Sequence, residues 1–386
     1  MYNSGYNNMR AGRYIQQPTG YRAFFPAPLP PKPPVRIDGS LQTLLSDADR
    51  ALGRLDGSIC TLPNPDLFVF MYVRKEAVLS SQIEGTQSSL QDVLEAEAKI
   101  FNPKKPSDVR EVLNYIDALR YGLERLNELP VSIRLIREIH ECLMQGVRGS
   151  HLTPGELRRS QNWIGPGGCT LNEAAFVPPP PEEIASSFSL LEKFLHEDKS
   201  LPLLIKIGLA HAQFETIHPF LDGNGRMGRL LITFLLCEAN VLQKPVLYLS
   251  YYFKKYRDRY YTKLQDVRDK GNWEEWIRFF LTGIIEVSKQ AANTARSIQQ
   301  MRETHRSLIT EQLGYSAANA HRVLEFSYEQ PILSVKDIVG ITGTSFAAAN
   351  NLVSRLTELE LFREFTGRVR NRLFRYEPYL KLFIDE

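Results

Sequence analysis

Apolar residues between positions 41 and about 300 recur every three or four places, as in LFVFMYVRKEAVLSSQIEG, VREVLNYIDALRYGLERL, IRLIREIHECLMQG and LPLLIKIGLAHAQFETIH. That spacing puts them on one stripe of a 3.6-residue helix, so a mainly α body is predicted. One stretch, RRSQNWIGPGGCTLNEAAFVPPPP, breaks the pattern. There Gly165-Pro166-Gly167-Gly168 separates two short segments in the manner of a hairpin loop and four prolines stop the chain, which predicts a β-hairpin flap at about Asn162 to Phe176. Beyond residue 300 the segments shorten. HRVLEFSYEQPI, SVKDIVGITG, TSFAAANNLVSRLTELELF and REFTGRVRNRLFRY read as three helices and a hairpin, with Ser334 and Thr344 as helix N-caps, the order of a winged helix-turn-helix. Residues 1 to about 36 are rich in Tyr, Asn, Gly and Pro and end in FFPAPLPPKPPVR, which favours an extended polyproline tail, although Phe24 and Phe25 are costly to leave in water. The expected organisation is a tail (1–40), an N-terminal helical region (41–105), a helical core (106–300) and a winged-helix domain (301–386).

Composition narrows the function classes. Hydrophobic residues at 43% and charged residues at 24% are ordinary for a globular protein, and 386 residues suffice for two or three cores. A net charge of +3 gives little general attraction to nucleic acid. Cys60, Cys142, Cys169 and Cys237 form no C-x-x-C pair, so neither a zinc site nor a disulfide framework is indicated and a reducing cytoplasm is expected. No apolar run has the length of a membrane span, and the N-terminus lacks the apolar stretch of a signal peptide.

The residues that need a chemical explanation lie in IHPFLDGNGRMGR, positions 217–229. Gly223-Asn224-Gly225-Arg226-Met227-Gly228 fits G-x-G-x-x-G, but a dinucleotide fingerprint must follow a strand, and a helical pattern precedes it here. No G-K-[ST] follows for a Walker loop, and an EF-hand beginning at Asp222 would put Met227 where glycine is required. A phosphate-binding turn uses every polar residue. The glycines let successive N–H groups curl around an anion at the start of the helix RMGRLLITFLLCEAN. Arg226 and Arg229, three apart, share a helix face and can grip outer phosphates. Asp222 can hold Mg2+ bridging phosphates, and His218, with an ordinary pKa near neutrality, is the natural general base. A plain interhelical turn would accommodate each residue singly, but it explains neither the second arginine nor the order His, Asp, Gly, Asn, Gly, Arg, Arg.

His218, Phe220, Asp222, Gly223, Asn224, Gly225, Arg226 and Arg229 fill every fixed position of H-x-F-x-D/E-G-N-G-R-x-x-R, and the segment resembles the signature of the Fic family. The resemblance implies a Fic-type helical bundle that moves AMP from ATP onto a Ser, Thr or Tyr hydroxyl of a protein. It implies that His218 is the base, Asp222 holds Mg2+, Gly223 to Gly225 form an anion hole and Arg226 and Arg229 meet the β- and γ-phosphates, with Met227 and Gly228 in the same ATP-binding turn. Glycine at 225, where a related kinase-like branch carries lysine, speaks for nucleotidyl transfer. The flap resembles the family's target-aligning hairpin, which works by adding a strand. In similar proteins the stretch LYLSYYFKKYRDRYYTKL covers the adenine, so Tyr248, Tyr251, Tyr252 or Tyr256 is expected to stack there, with Tyr256 preferred; core packing is the competing role.

Ser80-x-x-x-Glu84-Gly85 resembles the family's inhibitory motif, [S/T]-x-x-x-E-[G/N], whose glutamate pairs with the second arginine of the catalytic loop. Independently of that resemblance, Gly85 reads as a residue just past a helix, so Glu84 falls in the last turn, where the helix dipole disfavours a carboxylate and a cationic partner is wanted. A solvated glutamate is the plain alternative. The expected protein is therefore an autoinhibited protein adenylyltransferase, with ATP as substrate, Mg2+ as its metal and a protein hydroxyl, or one of its own, as target; removal of AMP at the same site is a further expectation. A homodimer and at most weak DNA binding are expected of the winged helix, whose FREFTGRVRNRLFR carries five arginines and one glutamate, and no membrane partner is expected. The alternative is a DNA-binding regulator with a nucleotide-sensing Fic-like body.

Overall fold

The computed structural model describes residues 10–60, 62, 65–98 and 108–384. The boundary expected at 105 and the first nine residues of the expected tail lie outside them. The body is built on two long partners that run side by side in the same direction, α1 (Gly39–Cys60) and α11 (Trp273–Leu313), with Asp38 on Arg278 near their starts. Alongside run α2 (Pro65–Ile83), α3 (Leu90–Glu97), α4 (Val109–Arg125), α5 (Ile133–Leu143) and α6 (Pro181–Glu197). A deeply buried element is α7 (Leu203–Ile217), mostly apolar but carrying His211, Gln213, Glu215 and Thr216, so that all of Leu204 to Ile217 except Lys206 is buried. It leads directly into the glycine-rich turn and α8 (Asn224–Glu238), followed by α9 (Ser250–Lys255) and α10 (Arg257–Lys270).

Residues 10–36 depart from the expectation of a tail. Gly12–Gln16 (β1) and Arg22–Pro26 (β2) pair as an antiparallel hairpin. Phe24 is fully buried, 5.0 Å from Tyr14 and 6.0 Å from Phe176, and its amide donates to the Val177 carbonyl at 2.9 Å. Arg10 clamps Glu274 with both guanidinium ends and donates to the Pro33 and Pro34 carbonyls, so the proline-rich run is fastened to the body. Burial of two aromatic rings and one ion pair outweighs the preference of the prolines for solvent.

The expected flap hairpin is reduced to a single antiparallel bridge, Ile164 with Phe176. Between them the eleven-residue loop closes on itself, with Trp163 Nε1 donating to the Cys169 carbonyl and a 3-10 turn at Leu171–Glu173. Pro166 has no N–H to offer and the glycines are poor strand formers, so the ladder stops after one rung.

The expected division at residue 300 falls inside α11, which runs through TARSIQQMRETHRSL without a glycine or proline to interrupt it. After it come α12 (Ala317–Glu329), β3 (Ile332–Ser334), α13 (Val335–Thr342), α14 (Phe346–Glu358), β4 (Phe362–Glu364), β5 (Leu373–Tyr376) and α15 (Glu377–Ile384), the strands in the antiparallel order β3-β5-β4. Ser334 caps α13 with a complete capping box, whereas α14 is capped by Ser345 rather than Thr344, whose hydroxyl is engaged by Thr342. This unit rests on α2: Phe383 stands edge-on to Tyr72, centroids 5.4 Å apart. Among the described residues no helix is long and apolar enough to cross a membrane, and all four cysteines are free.

Candidate active site

The glycine-rich turn is held from inside. His218 ends α7 in the left-handed conformation (φ 50°, ψ 61°), and Gly223 (φ 76°) opens α8 in the same region, where glycine carries no Cβ penalty. Asn224 spends its side chain on the Phe220 backbone, accepting from its N–H at 2.9 Å and donating to its carbonyl at 2.8 Å. The expected ATP contact of Asn224 is therefore confined to its backbone. The Met227 side chain is fully buried and its amide bonds the Gly223 carbonyl. The amides of Asn224, Gly225 and Arg226 form the first turn of α8, whose N–H groups have no intrahelical carbonyl to bond; they and the positive helix end are disposed to receive an anion.

Arg229 is 1% exposed. Its Nε donates to the Ser80 hydroxyl at 2.8 Å, and its Nη2 donates to the Ser80 carbonyl at 3.0 Å and to Glu84 Oε1 at 2.7 Å. α2 ends at Ile83, so Glu84 stands one residue past the helix and Gly85 (φ 101°) turns the chain away. Gly225 is what admits the carboxylate: a Cβ there would lie 2.2 Å from Glu84 Oε1 and 3.0 Å from Arg229 Nη1. Burial pushes the Glu84 carboxyl up, but the charge of Arg229, with that of Arg226 behind it, more than offsets this and holds it below the ordinary value. α2 is fixed in register by Glu76, which accepts from the Ser250 amide and hydroxyl and from Tyr115.

Arg226 faces the other way. It is 2% exposed, with Nη1 on Glu111 Oε2 of α4 at 3.0 Å and Nη2 on the Met144 sulfur, while its Nε has no partner. Asp222 is half-buried; Oδ1 accepts from the Gly223 amide at 2.7 Å, and its carbonyl meets His140 Nε2 at 2.9 Å. Among the described residues no three metal-binding side chains gather; Asp222 is the one carboxylate within the turn itself, and a single carboxylate beside phosphate oxygens is a donor set that Mg2+ can use. Burial, with Arg158 and Arg268 nearby, lowers His218 to about 3, so its imidazole is neutral at physiological pH and able to accept a proton.

The tyrosines fall out differently from expectation. Tyr248 is fully buried against Tyr72, and Tyr252 is buried between Tyr256 and Phe279. Tyr256 sits at the α9–α10 junction among Tyr252, Lys255 and Arg259. Tyr261 on α10, which no motif marks, is only partly open to solvent; desolvation of its hydroxyl, with the charge of Glu84 nearby, pushes it up to about 12. Other residues escaped the sequence as well. His211 Nδ1 donates to the Gly228 carbonyl and its Nε2 accepts from Tyr260, bracing α8 from below. Glu215 lies under Gly228 with Oε1 unpartnered, and burial pushes its carboxyl up to about 7. Nothing in the local sequence marks these residues, because their partners come from elements distant in the chain.

Residues 42–124 match the Fic/DOC family N-terminal model and residues 130–236 the Fic/DOC family model. The protein adenylyltransferase Fic of Drosophila grimshawi is 30% identical over 206 residues, 51% of this chain and 38% of the relative. That of Drosophila melanogaster is 29% identical, with 51% and 37% covered. The chain thus spans well under half the length of the curated relatives it matches. A Fic family protein from Desulfovibrio desulfuricans G20 shares the fold with a TM-score of 0.58 and 20% identity over 89% of this chain and 97% of that one. A Fic domain containing signaling protein from Bacteroides thetaiotaomicron gives 0.53 and 18%, over 65% and 97%. Glu84 lies in the first matched region and the turn His218–Arg229 in the second, so residues 42–236 of this chain are a Fic/DOC family module.

Proposed function

We propose that this chain is a protein adenylyltransferase held off by its own Glu84, and the observation that carries the reading is the Glu84–Arg229 pair seated over the start of α8. The α- and β-phosphates of ATP lie along the amides of Asn224, Gly225 and Arg226. Arg229 takes the γ-phosphate once Glu84 leaves, and Arg226, oriented by Glu111, keeps Nε for the phosphate chain. Mg2+ bound to Asp222 would neutralise phosphate charge. His218 takes the proton from the target hydroxyl as its oxygen attacks the α-phosphorus; the bond to the bridging β-oxygen breaks and pyrophosphate leaves. Tyr256 and Tyr261 flank the nucleotide from α9 and α10. The flap receives the target segment, and residues 317–384 act as a winged-helix docking or dimer unit with weak DNA affinity at most.

With Glu84 on Arg229 the triphosphate cannot extend, and in-line alignment fails. Labelling by α-labelled ATP and Mg2+, followed on the chain itself and in a lysate, tests this. Glu84→Gly should raise the signal about tenfold or more, because a charge-assisted hydrogen bond of roughly 1.5–3 kcal/mol is removed. His218→Ala in that background should lower it about 10²- to 10⁴-fold while ATP still binds. Equal or weaker labelling from Glu84→Gly than from wild type, on the chain and in lysate alike, would overturn the reading.

A further inference from the structure

Arg158 is 2% exposed and forms no salt bridge among the described residues. Its guanidinium is spent on three backbone carbonyls: Nε donates to His218 at 2.9 Å, Nη1 to Ser160 at 3.2 Å and Nη2 to Pro179 at 2.5 Å. Its own amide donates to the Pro219 carbonyl at 2.9 Å. A buried cation whose hydrogen bonds all go to carbonyls, with Glu182 acting on it only at a distance, is a costly arrangement, so its placement calls for a reason. Burial lowers it to about 10, which leaves it charged at neutral pH.

The three carbonyls belong to three different parts of the site. Ser160 is where the chain enters the flap, Pro179 is where it leaves, and His218 is the residue whose imidazole accepts the proton. Asn162 adds a parallel tie by donating to the Phe220 carbonyl at 2.9 Å, and Gln161 donates to Pro178 at 3.0 Å. His218 also needs holding: a left-handed non-glycine residue costs on the order of 1 kcal/mol and persists only where its surroundings over-determine it. One fork therefore sets both the backbone of His218 and the two ends of the flap, in a planar geometry that lysine cannot reproduce.

We propose that Arg158 is a positioning residue that locks the target-aligning flap to His218, so that the hydroxyl presented by the flap arrives within reach of the imidazole. The proposal rests on the adenylyltransferase reading above. It predicts a defect in the transfer step and not in nucleotide capture, since Arg158 contacts none of Asn224, Gly225 or Arg229. A displacement of about 1 Å between base and hydroxyl costs roughly 10²-fold in rate. The charged groups facing His218 are Arg158, Arg268 and Glu84. Removing the Arg158 charge favours the imidazolium and shifts the His218 titration upward, whereas lysine keeps the charge and leaves it in place.

The test compares Arg158→Lys and Arg158→Gln in the Glu84→Gly background. Self-labelling with α-labelled ATP should fall about 10²-fold at saturation in both, with half-saturating ATP within about threefold of the parent. By ¹³C-histidine NMR, His218 should titrate higher in Arg158→Gln than in Arg158→Lys. Hydrogen exchange should quicken at 160–164 and 217–220 in both. Parental labelling rates, or a rise in half-saturating ATP with the maximal rate unchanged, would overturn the proposal. Should Arg158→Gln fail to fold, Arg158→Lys decides it by rate and exchange. Should the Glu84→Gly parent itself not label, the adenylyltransferase reading falls, and the lock is judged on titration and exchange alone: unchanged exchange at both segments refutes it.

Discussion

Two arginines one turn apart on α8 make the same kind of bond to a carboxylate, at 3.0 Å for Arg226–Glu111 and 2.7 Å for Arg229–Glu84, yet they belong to different machines. Glu111 is 9% exposed and rises from α4, an element of the core that also packs on α5 and α8. Glu84 is 34% exposed and stands just past the end of α2, a helix covered on its far side by the C-terminal unit through Tyr72 and Phe383. Both cations are sealed, so the difference lies in the carboxylates. A sealed carboxylate cannot be displaced by a ligand, whereas one that water already reaches can be exchanged for a phosphate oxygen at little cost in desolvation. The comparison teaches that on this helix the partner's exposure, and not the strength of the ion pair, separates a structural brace from a removable brake.

The sharpest way to break the comparison is to delete each carboxylate and measure stability. Glu111→Ala leaves the Arg226 charge buried and unpaired, and chemical denaturation should show a loss of about 3–5 kcal/mol. Glu84→Gly leaves Arg229 two bonds to Ser80 and access to water or nucleotide, so its loss should stay within about 1 kcal/mol. Equal losses from the two would show that both pairs are structural and that Glu84 is no brake.

How much of this the sequence could disclose depended on whether partner and motif were neighbours in the chain. The spacing from His218 to Arg229 and the helical periodicity around it predicted α7, the turn and α8, because those features are local. Glu84 was found through a short pattern of its own. Glu111 was not, since one carboxylate on an amphipathic helix carries no mark of the arginine 115 residues away that it meets. Arg158, His211 and Tyr261 escaped for the same reason: their roles are set by tertiary contacts to carbonyls and charges. The N-terminal tail was misjudged because proline composition reports local stiffness, while the burial of Phe24 against Tyr14 and Phe176 decides where the segment lies. Asn224 satisfied the motif, but its side chain holds the turn closed, and Met227, at a position the motif leaves free, is core.

A smaller change should sharpen the comparison. Ser80→Ala removes the hydroxyl that accepts from Arg229 Nε but keeps the Ser80 carbonyl and Glu84 in place. A neutral hydroxyl bonding a guanidinium contributes roughly 1–2 kcal/mol, part of which Arg229 recovers by shifting toward Glu84. Self-labelling should therefore rise only a few-fold, between wild type and Glu84→Gly. A gain as large as that of Glu84→Gly would place the brake in the helix position and not in the carboxylate.

The smallest expected effect is an absence of response to mild acid. Arg229 holds the Glu84 carboxyl below the ordinary glutamate value, despite burial pushing it up. For a carboxyl lowered in the folded state, the stabilisation is complete above the unfolded value and is lost only as pH falls through the lower, folded one. Between pH 8 and pH 5 the pair should stay ionised, and the ratio of Glu84→Gly to wild-type labelling should stay flat. His218 does not interfere, since burial keeps it neutral down to about 3. Glu215 does titrate in this window, because burial raises it to about 7, and it lies near both Glu84 and Arg229. The Glu84 charge helps to raise it, so Glu215 titrates lower in the variant than in the wild type, and repeating the series with Glu215→Gln in each background removes that difference. A ratio that collapses toward one between pH 7 and pH 5, both with Glu215 intact and in the Glu215→Gln series, would mean that Glu84 takes up a proton in the ordinary carboxylate range or above it, and the brake would then be no stronger than a surface ion pair.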